Sequence, residues 1–485
     1  MRIHRYDLVR FLWMDTVFFS LVAKAVVRLG MMVDEQRIRK LNTKPTLHEK
    51  PYVVYWMQAS GRVEQNEALS FAIETANSLK KPLVVYFGIA PRFAGATGRH
   101  YRFMLEGIQE VEKELQERSI PLLVSSHGVV EGLKKLQSSI ACLIVDRAYT
   151  TIERSWRKEV SLLLACTVYE VEANVVVPVE AVSDKEEYSA ATLRRKIEPM
   201  ISYFAQEIQI PEISVKSRSF DFPFDTADLE NIPLLVESLG IEQKGSSVLP
   251  LQGGSAAALS RLDDFIEHAL VGYDTKRNDP AQNHSSGLSA YLHFGQISPV
   301  TIYHAVKDLD ISDVPAFLEQ LIVRRELAYN FVAFNPFYDQ YEGLPSWARK
   351  SLAAHEADPR PITYRYEELE KGETHDPYWN AAQKELVLLG RMHNYLRMYW
   401  GKKILEWSPT FKQGFSWALK LNNTYQADGR DPNGYAGVAW CFGKHDRPWV
   451  ERPIFGNIRY MNDKGLERKF NMKAYLQRIE AETSL

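Results

Sequence analysis

Short apolar runs alternate with amphipathic segments between about residue 51 and residue 180. Continuous apolar stretches at 52–57, 82–89, 121–126, 142–149 and 167–179 predict strands. Between them, the segments 66–80, 100–119, 128–139 and 152–164 repeat apolar residues at helical spacing. Strands that lack polar alternation are typical of a parallel sheet covered by helices on both sides. The pattern therefore predicts a doubly wound α/β domain over residues 51–204.

The second half of the chain has a different pattern. Residues 205–255 are rich in Pro, Gly, Ser and Asp, which indicates a connector between domains. After the connector, helical periodicity continues almost to the end, at 256–270, 298–309, 313–334, 366–371, 378–407 and 411–422. We therefore expect an all-helical domain over residues 256–485.

The N-terminal residues 1–50 are expected to form an extension outside the fold. Residues 8–32 are largely apolar, but Arg10, Asp15, Lys24 and Arg28 interrupt them. Neither a membrane-spanning helix nor a secretory signal tolerates that many charges. Two explanations stay open: an amphipathic extension, or a start codon placed too far upstream, with Met31 or Met32 as the true start.

Composition narrows the class of protein. Hydrophobic residues make up 45% and charged residues 25%, which is typical of a globular protein and excludes a mostly disordered chain. The three cysteines (Cys142, Cys166 and Cys441) lie far apart without a CxxC pair. This spacing excludes a disulfide scaffold, a four-thiolate zinc site and a four-Cys iron–sulfur cluster. A reduced intracellular protein without a metal centre is the expectation. Neither GxGxxG nor GxxxxGK[ST] occurs in the α/β region, so no phosphate-binding loop of those types is predicted.

Charge is unevenly distributed along a chain whose net charge is only −2. Residues 391–460 hold eleven Lys and Arg against five Asp and Glu, so this window carries +6 and the remainder −8. A basic surface on a neutral protein can attract a polyanion such as nucleic acid. An ordinary solvated surface explains the same charges equally well.

Tryptophan is concentrated in the last third of the chain. Seven of the ten tryptophans lie there, at Trp347, Trp379, Trp400, Trp407, Trp417, Trp440 and Trp449. Asp376–Pro377 favours a helix start and Ser408–Pro409 a stop, so a helix is expected between them. On it, Arg397 with Trp400, Asn394 with Met398, and Trp400 with Trp407 share one side. Such tryptophans form core, a stacking platform or an electron relay, and spacing alone does not choose.

Two polar segments could carry chemistry. Residues 426–435 (QADGRDPNGY) combine Asp428, Arg430 and Asp431 with turn-forming residues; a buried Asp428 would need a charged partner, for which Arg397 is the obvious candidate. Residues 285–289 (SSGLS) could offer hydroxyls and amides to a phosphate, although a helix N-cap explains them as simply.

Eight long segments stand in a specific order after residue 50. They are WMQASGRVEQNEAL (56–69), VVVPVEAVSDKEEYSAATLRRKI (175–197), SSGLSAYLHFGQISP (285–299), LIVRRELAYNF (321–331), THDPYWNAAQKE (374–385), MHNYLRMYWGKKILEW (392–407), DGRDPNGYAGVAW (428–440) and HDRPWVERPIFGNIRYMN (445–462). In order and spacing they closely resemble the class II cyclobutane pyrimidine dimer photolyases of the photolyase/cryptochrome family. The resemblance covers essentially the whole chain after residue 50.

The resemblance implies a fold and an activity. A Rossmann-like α/β antenna domain is joined by a long linker to an all-α domain that holds U-shaped FAD. Light excites the reduced flavin, which lends an electron to a pyrimidine dimer flipped out of UV-damaged DNA, and the cyclobutane ring splits. The implied activity is that of a deoxyribodipyrimidine photolyase, a carbon–carbon lyase that repairs DNA. A second antenna chromophore, a deazaflavin or a folate, is also implied.

The resemblance also assigns residues to the flavin. Those expected to contact FAD are Tyr273, Ser285, Ser286, Gly287, Leu288, Ser289, Asn394, Arg397, Asp428, Gly429 and Arg430. Arg397 and Asp428 are expected to form an ion pair near the isoalloxazine. Asn422 stands where the family faces flavin N5, and its neutral amide would tolerate an anionic reduced flavin.

Further roles follow from the same motifs. Trp379, Trp400 and Trp407 match the electron relay, in an order that the motifs leave open. Gln320, Met398 and Trp440 correspond to dimer contacts, the tryptophan by stacking. The residues expected to hold DNA and fill the gap left by the flipped lesion are Arg277, Asn278, Arg447 and Trp449.

Two positions depart from the family motif EELIV(R/W)REL. Gln320 replaces the acid expected to touch the dimer, and it can hydrogen-bond a thymine carbonyl but cannot donate a proton or tune charge in the same way. Glu319 is one residue away, about 100° around a helix, and is not expected to substitute for it. Arg324 stands where some members carry Trp.

Three functional hypotheses follow. The first is light-driven repair of UV-damaged DNA by an intracellular monomer without an obligate protein partner or a membrane, in the cytoplasm, nucleoid or nucleus. The second is a cryptochrome-like light sensor, which Gln320 favours and which Arg447, Trp449 and the short C-terminal tail disfavour. The third, a flavin-free DNA-binding protein, would leave residues 285–289 and the pairing of Arg397 with Asp428 without a function.

Overall fold

The computed structural model describes residues 33–91, 93, 95–217, 222–246 and 248–484. The predicted N-terminal extension therefore lies largely outside the described residues. Its last part does not lie outside the fold, because a 3₁₀ turn at Glu35–Arg37 leads into strand β1 (Ile38–Lys40). This strand pairs antiparallel with β6, so the α/β domain begins before the expected boundary at residue 51.

The α/β domain holds a six-stranded sheet. The strands are β1, β2 (Tyr52–Trp56), β3 (Leu83–Gly88), β4 (Leu122–Ser125), β5 (Ile140–Asp146) and β6 (Val168–Val171), in the spatial order β1-β6-β5-β2-β3-β4. Strands β2 to β6 pair in parallel. The connecting helices are α1 (Glu67–Leu79), α2 (Gly98–Glu117), α3 (Val129–Leu136, with a 3₁₀ turn at Gln137–Ser139) and α4 (Thr151–Leu163). The predicted doubly wound domain is confirmed, with one antiparallel edge strand that its pattern did not reveal.

Both sides of the sheet are buried, which explains the unbroken apolar runs. On β2, Val53 and Tyr55 pack into the cluster beneath α1 and α2, whereas Val54 and Trp56 pack into the opposite cluster beneath α3 and α4. Successive side chains of a strand point to opposite sides, so a sheet covered twice needs apolar residues at every position.

The predicted fifth strand is much shorter than expected. Only Val168–Val171 is extended in the sheet, and the apolar residues that follow run as buried irregular chain towards the helical half. Other groups bond their backbone: Arg62 donates to the Ala173 carbonyl at 2.7 Å, and the Val176 amide donates to Glu326 at 2.5 Å. Apolar composition predicted burial here, but the hydrogen bonds come from side chains instead of a neighbouring strand.

The rest of the chain is helical. After the short α5 (Val179–Val182) and α6 (Ala190–Phe204), helix α7 (Ile232–Ser238) lies within the connector that was expected to be irregular. The following helices are α8 (Ser255–His268), α9 (Tyr273–Lys276), α10 (Ser289–His293), α11 (Pro299–Val306), α12 (Val314–Leu318), a π-helical turn (Glu319–Arg324), α13 (Arg325–Phe334) and, after a 3₁₀ turn at Tyr341–Gly343, α14 (Ser346–Ala354) and α15 (Tyr366–Lys371).

The last helices hold most of the tryptophans. They are α16 (Pro377–Leu389), α17 (Asn394–Trp407), α18 (Phe411–Tyr425), α19 (Pro432–Cys441), α20 (Asp463–Lys469) and α21 (Met472–Thr483). The single helix expected over 378–407 is two helices, because Gly390 ends α16 in the left-handed region with φ 68°. Helix α19 begins at Pro432, inside the segment interpreted as a loop, and Asp431 caps its first turn.

Buried side chains of the α/β domain form hydrogen bonds with the helical domain. Arg62 donates to the Gly295 carbonyl at 2.9 Å, Arg99 donates to the Val387 carbonyl at 2.7 Å, and a His100 ring nitrogen lies 3.0 Å from the Gln426 carbonyl. All three side chains are at most 2% exposed. The loop before α19 is therefore positioned by contacts from the α/β domain.

Candidate functional site

Helices α18 and α19 approach closely around Asn422. Its side chain is buried, and its amide Nδ2 donates to Asn423 Oδ1 at 3.2 Å. A Cβ on Gly434 would lie 2.9 Å from that Nδ2, so the glycine in α19 leaves room for the amide. Asn422 thus presents a neutral polar group in an otherwise closed helix interface.

Asp428 and Arg397 carry polar atoms that the protein leaves unbonded. Asp428 Oδ1 and Arg397 Nε are both shielded from solvent, and neither has a hydrogen-bond partner among the residues that the structure describes. Leaving a charged group unbonded in the interior is costly, so native proteins rarely keep such atoms without a ligand. A bound molecule with complementary polar groups would satisfy both atoms.

The expected ion pair between Arg397 and Asp428 is not formed: among the described residues, the ion pairs within 4.0 Å do not include these two. The reason is geometric. Arg397 Cδ and Nη1 lie beside Gly437, each 3.9 Å from where a Cβ would stand, whereas Asp428 precedes the first turn of α19. The same helix therefore separates the two groups along its axis.

Arg430 is directed towards the α/β domain. It is buried with a left-handed backbone (φ 73°), and its amide donates to Asn423 Oδ1 at 3.1 Å. Burial lowers the pKa of its guanidinium to about 10, which the neighbouring Tyr435, Tyr101 and Asp428 partly oppose. Gly429, beside it, is confined: a Cβ there would lie 2.8 Å from the Asn422 carbonyl.

The serine-rich segment before α10 is open to solvent. Ser285, Gly287 and Ser289 are exposed, and Gly287 adopts φ 70°. Arg261 holds the backbone by donating to the Ser286 carbonyl at 2.7 Å and to the Ser285 carbonyl at 3.2 Å. Leu288 takes the N-cap position without a side-chain bond, so these serines do not cap α10. Tyr273 is buried nearby, and the Arg277 guanidinium carbon lies 5.5 Å from its ring centre.

Three buried tryptophans form a continuous chain. The rings of Trp400 and Trp379 are parallel within 7° with centroids 6.4 Å apart, and Trp407 meets Trp379 edge-on at 5.7 Å. Trp379 Nε1 donates to the Trp400 carbonyl at 3.1 Å, and Trp400 Nε1 donates to Gln383 Oε1 at 2.8 Å. The contact order is therefore Trp400, Trp379, Trp407, which the sequence had left open. Sequence analysis missed Gln383, although it stands one helical turn after Trp379.

A second group surrounds Trp440, at the end of α19. Gln320 and Arg324 lie on the π-helical turn, a local widening that is frequent at functional sites. The Arg324 guanidinium carbon lies over the Trp440 ring, 5.7 Å from its centre. Arg324 Nε donates to Glu319 Oε1 at 3.0 Å. Both Glu319 oxygens also accept from Arg194. Both Glu319 oxygens are thus bonded, whereas none of the described residues bonds the side-chain amide of the half-buried Gln320.

The remaining candidates are spread over the helical domain. The Met398 and Cys441 sulfur atoms lie 3.9 Å apart, which places Met398 at the end of α19. Asn394 is exposed at the start of α17. Arg277 and Asn278 are half-buried after α9, and Arg277 pairs with Asp274 at 3.5 Å.

An exposed tryptophan on the basic surface is held between two arginines. Trp449 is 38% exposed, and the Arg447 and Arg459 guanidinium carbons lie 5.4 Å and 5.1 Å from its ring centre. Asp446 fixes the loop by accepting from Trp449 Nε1 at 3.2 Å and from the Arg447 amide at 2.8 Å. An exposed aromatic ring between cations suits nucleic acid, because it offers both stacking and phosphate contact. Arg459 entered the sequence analysis only as a charge.

A cavity lies between the two domains at the carboxyl ends of the parallel strands. Gln58 and Gly88 follow β2 and end β3, and Arg430 and Asp431 close the cavity from the helical side. Six aromatic side chains line it: Phe93, Tyr101, Tyr149, Trp156, Phe294 and Tyr329. Asp146 supports its rim by accepting the amides of three consecutive residues, 58–60, at 2.7 to 2.9 Å. Ligands of open α/β sheets bind at this edge.

The described part of the chain shows neither a membrane span nor a cluster of metal ligands. None of its helices combines the length and the apolar composition needed to cross a membrane. The described residues also contain no cluster of three or more His, Cys, Asp or Glu that could hold a metal ion.

The sequence of this chain is similar to those of several known proteins. Residues 53–212 match the family model DNA photolyase. A deoxyribodipyrimidine photo-lyase of Methanothermobacter thermautotrophicus is 47% identical over 450 residues, which cover 92% of this chain and 99% of that protein. A protein of the same name from Potorous tridactylus is 37% identical, covering 93% of this chain and 86% of that protein. Cryptochrome-1 of Spalax judaei is 25% identical over 60% of this chain and 52% of its own.

Solved structures share the architecture at low sequence identity. A class III photolyase from Agrobacterium tumefaciens superposes with a TM-score of 0.68 at 20% identity, covering 90% of this chain and 87% of that chain. An archaeal photolyase from Sulfolobus tokodaii, described with two FAD molecules and a novel light-harvesting cofactor, superposes with a TM-score of 0.67 at 16% identity, covering 89% of each chain.

Proposed function

The chain belongs to the DNA photolyase family, and we propose from this premise that it is a deoxyribodipyrimidine photolyase of the class II type. Its function is light-dependent DNA repair, and its cofactor is the FAD that the family implies. The observation that carries this conclusion is the 47% identity to a photo-lyase over 92% of the chain, which spans both domains. The class II assignment is the finer part of the proposal and rests on the eight ordered motifs.

The residues present fit FAD. Among the described residues, Asp428 Oδ1 is an unbonded hydrogen-bond acceptor and Arg397 Nε an unbonded donor, so both atoms could bond polar groups of the cofactor. The exposed Ser285 and Ser289 and the half-buried Ser286 suit the phosphates, and Asn394 and Arg430 complete the proposed set. When bound, reduced FAD supplies a light-excited electron that splits the cyclobutane ring and then returns.

The protein's own groups prepare that chemistry in three ways. Asn422 keeps a neutral amide where a carboxylate would repel an anionic reduced flavin. The tight packing of α18 on α19 excludes water around this amide. The chain of Trp400, Trp379 and Trp407 offers a route for electrons through the helical domain.

We assign the lesion and the DNA to the adjoining surface. Gln320, Met398 and Trp440 would contact the flipped dimer, with the Trp440 ring stacking on a base and the Gln320 amide bonding a carbonyl. Trp449 between Arg447 and Arg459 would occupy the gap in the duplex, and Arg277 and Asn278 would hold the backbone on the other side.

A second chromophore would fit the cavity between the domains. Its six aromatic side chains suit a flat heteroaromatic ring, while Asp431 and His293 supply polar contacts from the helical side. We propose that this cavity holds the antenna, a deazaflavin or a folate. We further propose that the enzyme acts inside the cell, where DNA lies, as a monomer without an obligate protein partner.

Repair of a defined lesion tests the proposal. The purified, photoreduced protein is incubated with an oligonucleotide that carries one thymine dimer, under blue light and in the dark. Light-dependent reversal at many turnovers per enzyme is expected, and the Gln320→Glu variant measured beside it shows what the missing acid contributes. A colourless protein that binds DNA without repair would instead favour the flavin-free alternative.

A light sensor is the second candidate, and Gln320 is the observation that favours it. Without a carboxylic acid at this position, the protein has one fewer group to stabilise charge on the dimer. Bound, photoreducible flavin with no dimer reversal would support the sensor and contradict the lyase.

A further inference from the structure

The loop that carries Trp449 folds back as a short hairpin. The Trp449 amide donates to the Asn457 carbonyl at 2.8 Å, and Asn457 Nδ2 donates to the Trp449 carbonyl at 3.0 Å. Arg452 and Gly456 exchange amide-to-carbonyl hydrogen bonds of 2.9 Å and 2.8 Å. We call residues 449–457 the Trp449 hairpin. An isolated two-stranded hairpin is at best marginally stable in water, so its shape depends on contacts with the rest of the protein.

The turn of the hairpin is strained. Ile454 has φ 66°, and a β-branched residue is rarely found in this left-handed region. Its amide donates to Asp358 Oδ2 at 2.7 Å. Gly456 has φ 51°, and a Cβ there would lie 2.9 Å from His355 Cδ2, so the turn also fits closely against that ring. Strained backbone persists only where the surrounding structure fixes it, which here means the groups at the end of α14.

Helix α14 and the residues after it contact the hairpin at two further places. Ser351 Oγ accepts from the Asn457 amide at 2.7 Å. His355 Nε2 lies 3.0 Å from Glu451 Oε1. This second contact joins the end of α14 to the side of the hairpin that carries Trp449, two residues from the exposed ring.

His355 bridges two carboxylates. Its Nδ1 lies 2.6 Å from Asp358 Oδ2, and its Nε2 lies 3.0 Å from Glu451 Oε1. An ionised carboxylate only accepts hydrogen bonds, so both ring nitrogens must donate, and the imidazole is then protonated and positively charged. These hydrogen bonds, that to Asp358 first, raise the pKa of His355 against the opposing effect of burial. Hydrogen bonds from the Ile454 amide and from His355 lower the pKa of Asp358, which keeps this carboxylate ionised.

The charge on His355 is set by its two carboxylate partners. Among the described residues, the titratable groups that face the ring are Asp358, on the segment after α14, and Glu451, on the hairpin; Arg360 acts on Asp358. The His355 side chain is 16% exposed and that of Glu451 is 67% exposed, so protons from solvent reach the bridge.

We propose that protonated His355 positions the Trp449 hairpin for binding of DNA that contains a lesion. The bridge joins Glu451, beside Trp449, to Asp358, which bonds the strained turn at Ile454. His355 itself acts through the hairpin and is therefore a positioning residue. The inference rests on the proposed function, because the DNA-binding role of Trp449 is part of that proposal. A hairpin that already has its bound shape loses less conformational entropy on binding.

The bridge makes DNA affinity depend on pH. The bonded carboxylates raise the pKa of His355 above its ordinary value of 6.5, so the bridge is complete below pH 6.5 and is lost as the pH rises through the raised pKa. After the proton leaves, one ring nitrogen carries a lone pair that faces a carboxylate oxygen and is repelled by it. We therefore expect affinity for lesion-containing DNA to fall with rising pH in a step that involves one proton.

The pH profile of DNA binding tests the inference. The Kd of the purified holoenzyme for a duplex that carries one thymine dimer is measured by fluorescence anisotropy from about pH 6 to about pH 9 at constant ionic strength. His355→Gln keeps a polar side chain but cannot carry the positive charge. We expect it to bind about two- to fivefold more weakly than wild type at the acid end of this range, since a partly exposed ion pair contributes modestly, and to lack the one-proton step.

The control is a histidine away from the hairpin. His268 is exposed and lies beside Asp264 on α8, so His268→Gln should keep the wild-type pH profile. A step of equal size in His355→Gln and in wild type would overturn the proposal.

Glu451→Gln provides a second test that leaves the ring in place. Glu451 is exposed, so the variant is expected to fold, and it lacks one of the carboxylates that raise the pKa of His355. We expect the midpoint of the step to move to lower pH, and a midpoint equal to that of wild type would contradict the bridge. Hydrogen exchange of peptides covering residues 449–457, measured without DNA at one pH, should be faster in His355→Gln than in wild type. Equal exchange would contradict positioning of the hairpin.

Dimer reversal separates this inference from the proposed function. Chemically reduced enzyme under blue light reports the lyase, and we expect His355→Gln to raise KM with kcat unchanged, because the bridge acts on binding. Reversal by wild type without any effect of His355→Gln on the pH profile would leave the lyase standing and overturn the bridge. A step in DNA binding that depends on His355, without dimer reversal, would support the bridge and contradict the lyase.

Discussion

At the residue scale, the most informative groups are those that the protein leaves unbonded. Asp428 Oδ1 and Arg397 Nε are buried, and no group in the described part of the chain bonds them, although the sequence suggested that they would bond each other. Two charged groups that fail to pair in the interior cost stability, so their positions make sense as part of a binding site.

Asp428→Ala tests this interpretation. Hydrogen bonds to charged groups contribute about 1.5–3 kcal/mol, so we expect FAD affinity to fall roughly ten- to hundredfold. The measurement is the flavin-to-protein absorbance ratio after purification, together with flavin release on dilution. Asp263→Ala, an exposed position on α8, is the control. Full flavin occupancy in Asp428→Ala would remove this residue from the site.

At the element scale, the break between α16 and α17 positions the functional side chains. Gly390 ends one helix and His393 caps the next, with Nδ1 accepting from the Tyr395 amide at 3.3 Å. Asp376 caps α16 through the amides of residues 378 and 379, and its other oxygen accepts from Tyr399 on α17. These caps bring Trp379 and Trp400 into contact from different helices.

The cap at His393 makes stability depend on pH. Burial and the nearby Arg478 lower the pKa of His393 to about 4, with Arg397 adding to the effect and Asp279 opposing it. The unfolded chain binds this proton below about pH 6.5, whereas the folded protein does not until about pH 4. Stability from this group is therefore present above pH 6.5 and is lost as the pH falls towards 4.

His393→Asn removes the titrating group while keeping a good N-cap. We expect the variant to lose less apparent unfolding free energy than wild type between pH 7 and pH 4.5, by at most about 3 kcal/mol. Urea unfolding at both pH values measures this difference. Equal losses in the two proteins would assign the acid sensitivity elsewhere, for example to His445, whose pKa burial also lowers to about 4.

The tryptophan chain gives a second prediction at this scale. Trp400→Phe interrupts the contact with Trp379, so photoreduction of oxidised flavin should be blocked while chemically reduced enzyme still repairs DNA. Photoreduction is followed by flavin absorbance under blue light. Trp417→Phe, whose ring contacts Tyr366 outside the chain, is the control. Photoreduction at the wild-type rate in Trp400→Phe would refute its place in the relay.

At the scale of the whole molecule, the basic window of residues 391–460 serves two purposes. Part of it is internal: Lys402 is fully buried and donates to the Cys441 carbonyl at 2.5 Å, and burial lowers its pKa to about 8. Another part is external, where Arg447 and Arg459 flank the exposed Trp449. Lys402 is not available to phosphates, so the charge count of the window exceeds the positive charge that reaches the surface.

Arg447→Ala tests that surface. Each phosphate contact releases a counterion, so loss of one contact should weaken lesion binding and reduce the slope of log affinity against log salt by about one. The measurement is fluorescence anisotropy with a dimer-containing duplex over a range of salt concentrations. The control is Lys412→Ala, which removes an exposed cation that pairs with Glu342. An unchanged slope in Arg447→Ala would place this residue away from the DNA.

Some features could be predicted from the sequence because they depend on local spacing. Continuous apolar runs indicated a sheet buried on both sides, and the helices on either side of it followed from their 3.6-residue period. The Asp376–Pro377 start and the Ser408–Pro409 stop both mark real helix ends. The ordered motifs correctly predicted the fold class, the photolyase/cryptochrome family and the repair function.

Other features depended on contacts between residues far apart in the chain, which no local pattern contains. The strand Ile38–Lys40 exists because β6 offers an open edge, and the irregular path of residues 172–178 exists because Arg62 and Glu326 bond its backbone. The missing ion pair of Arg397 and Asp428 and the order of the tryptophans are of the same kind. Sequence determined which side chains were available, and packing decided which of them touch, because distances between helices are set by the whole core.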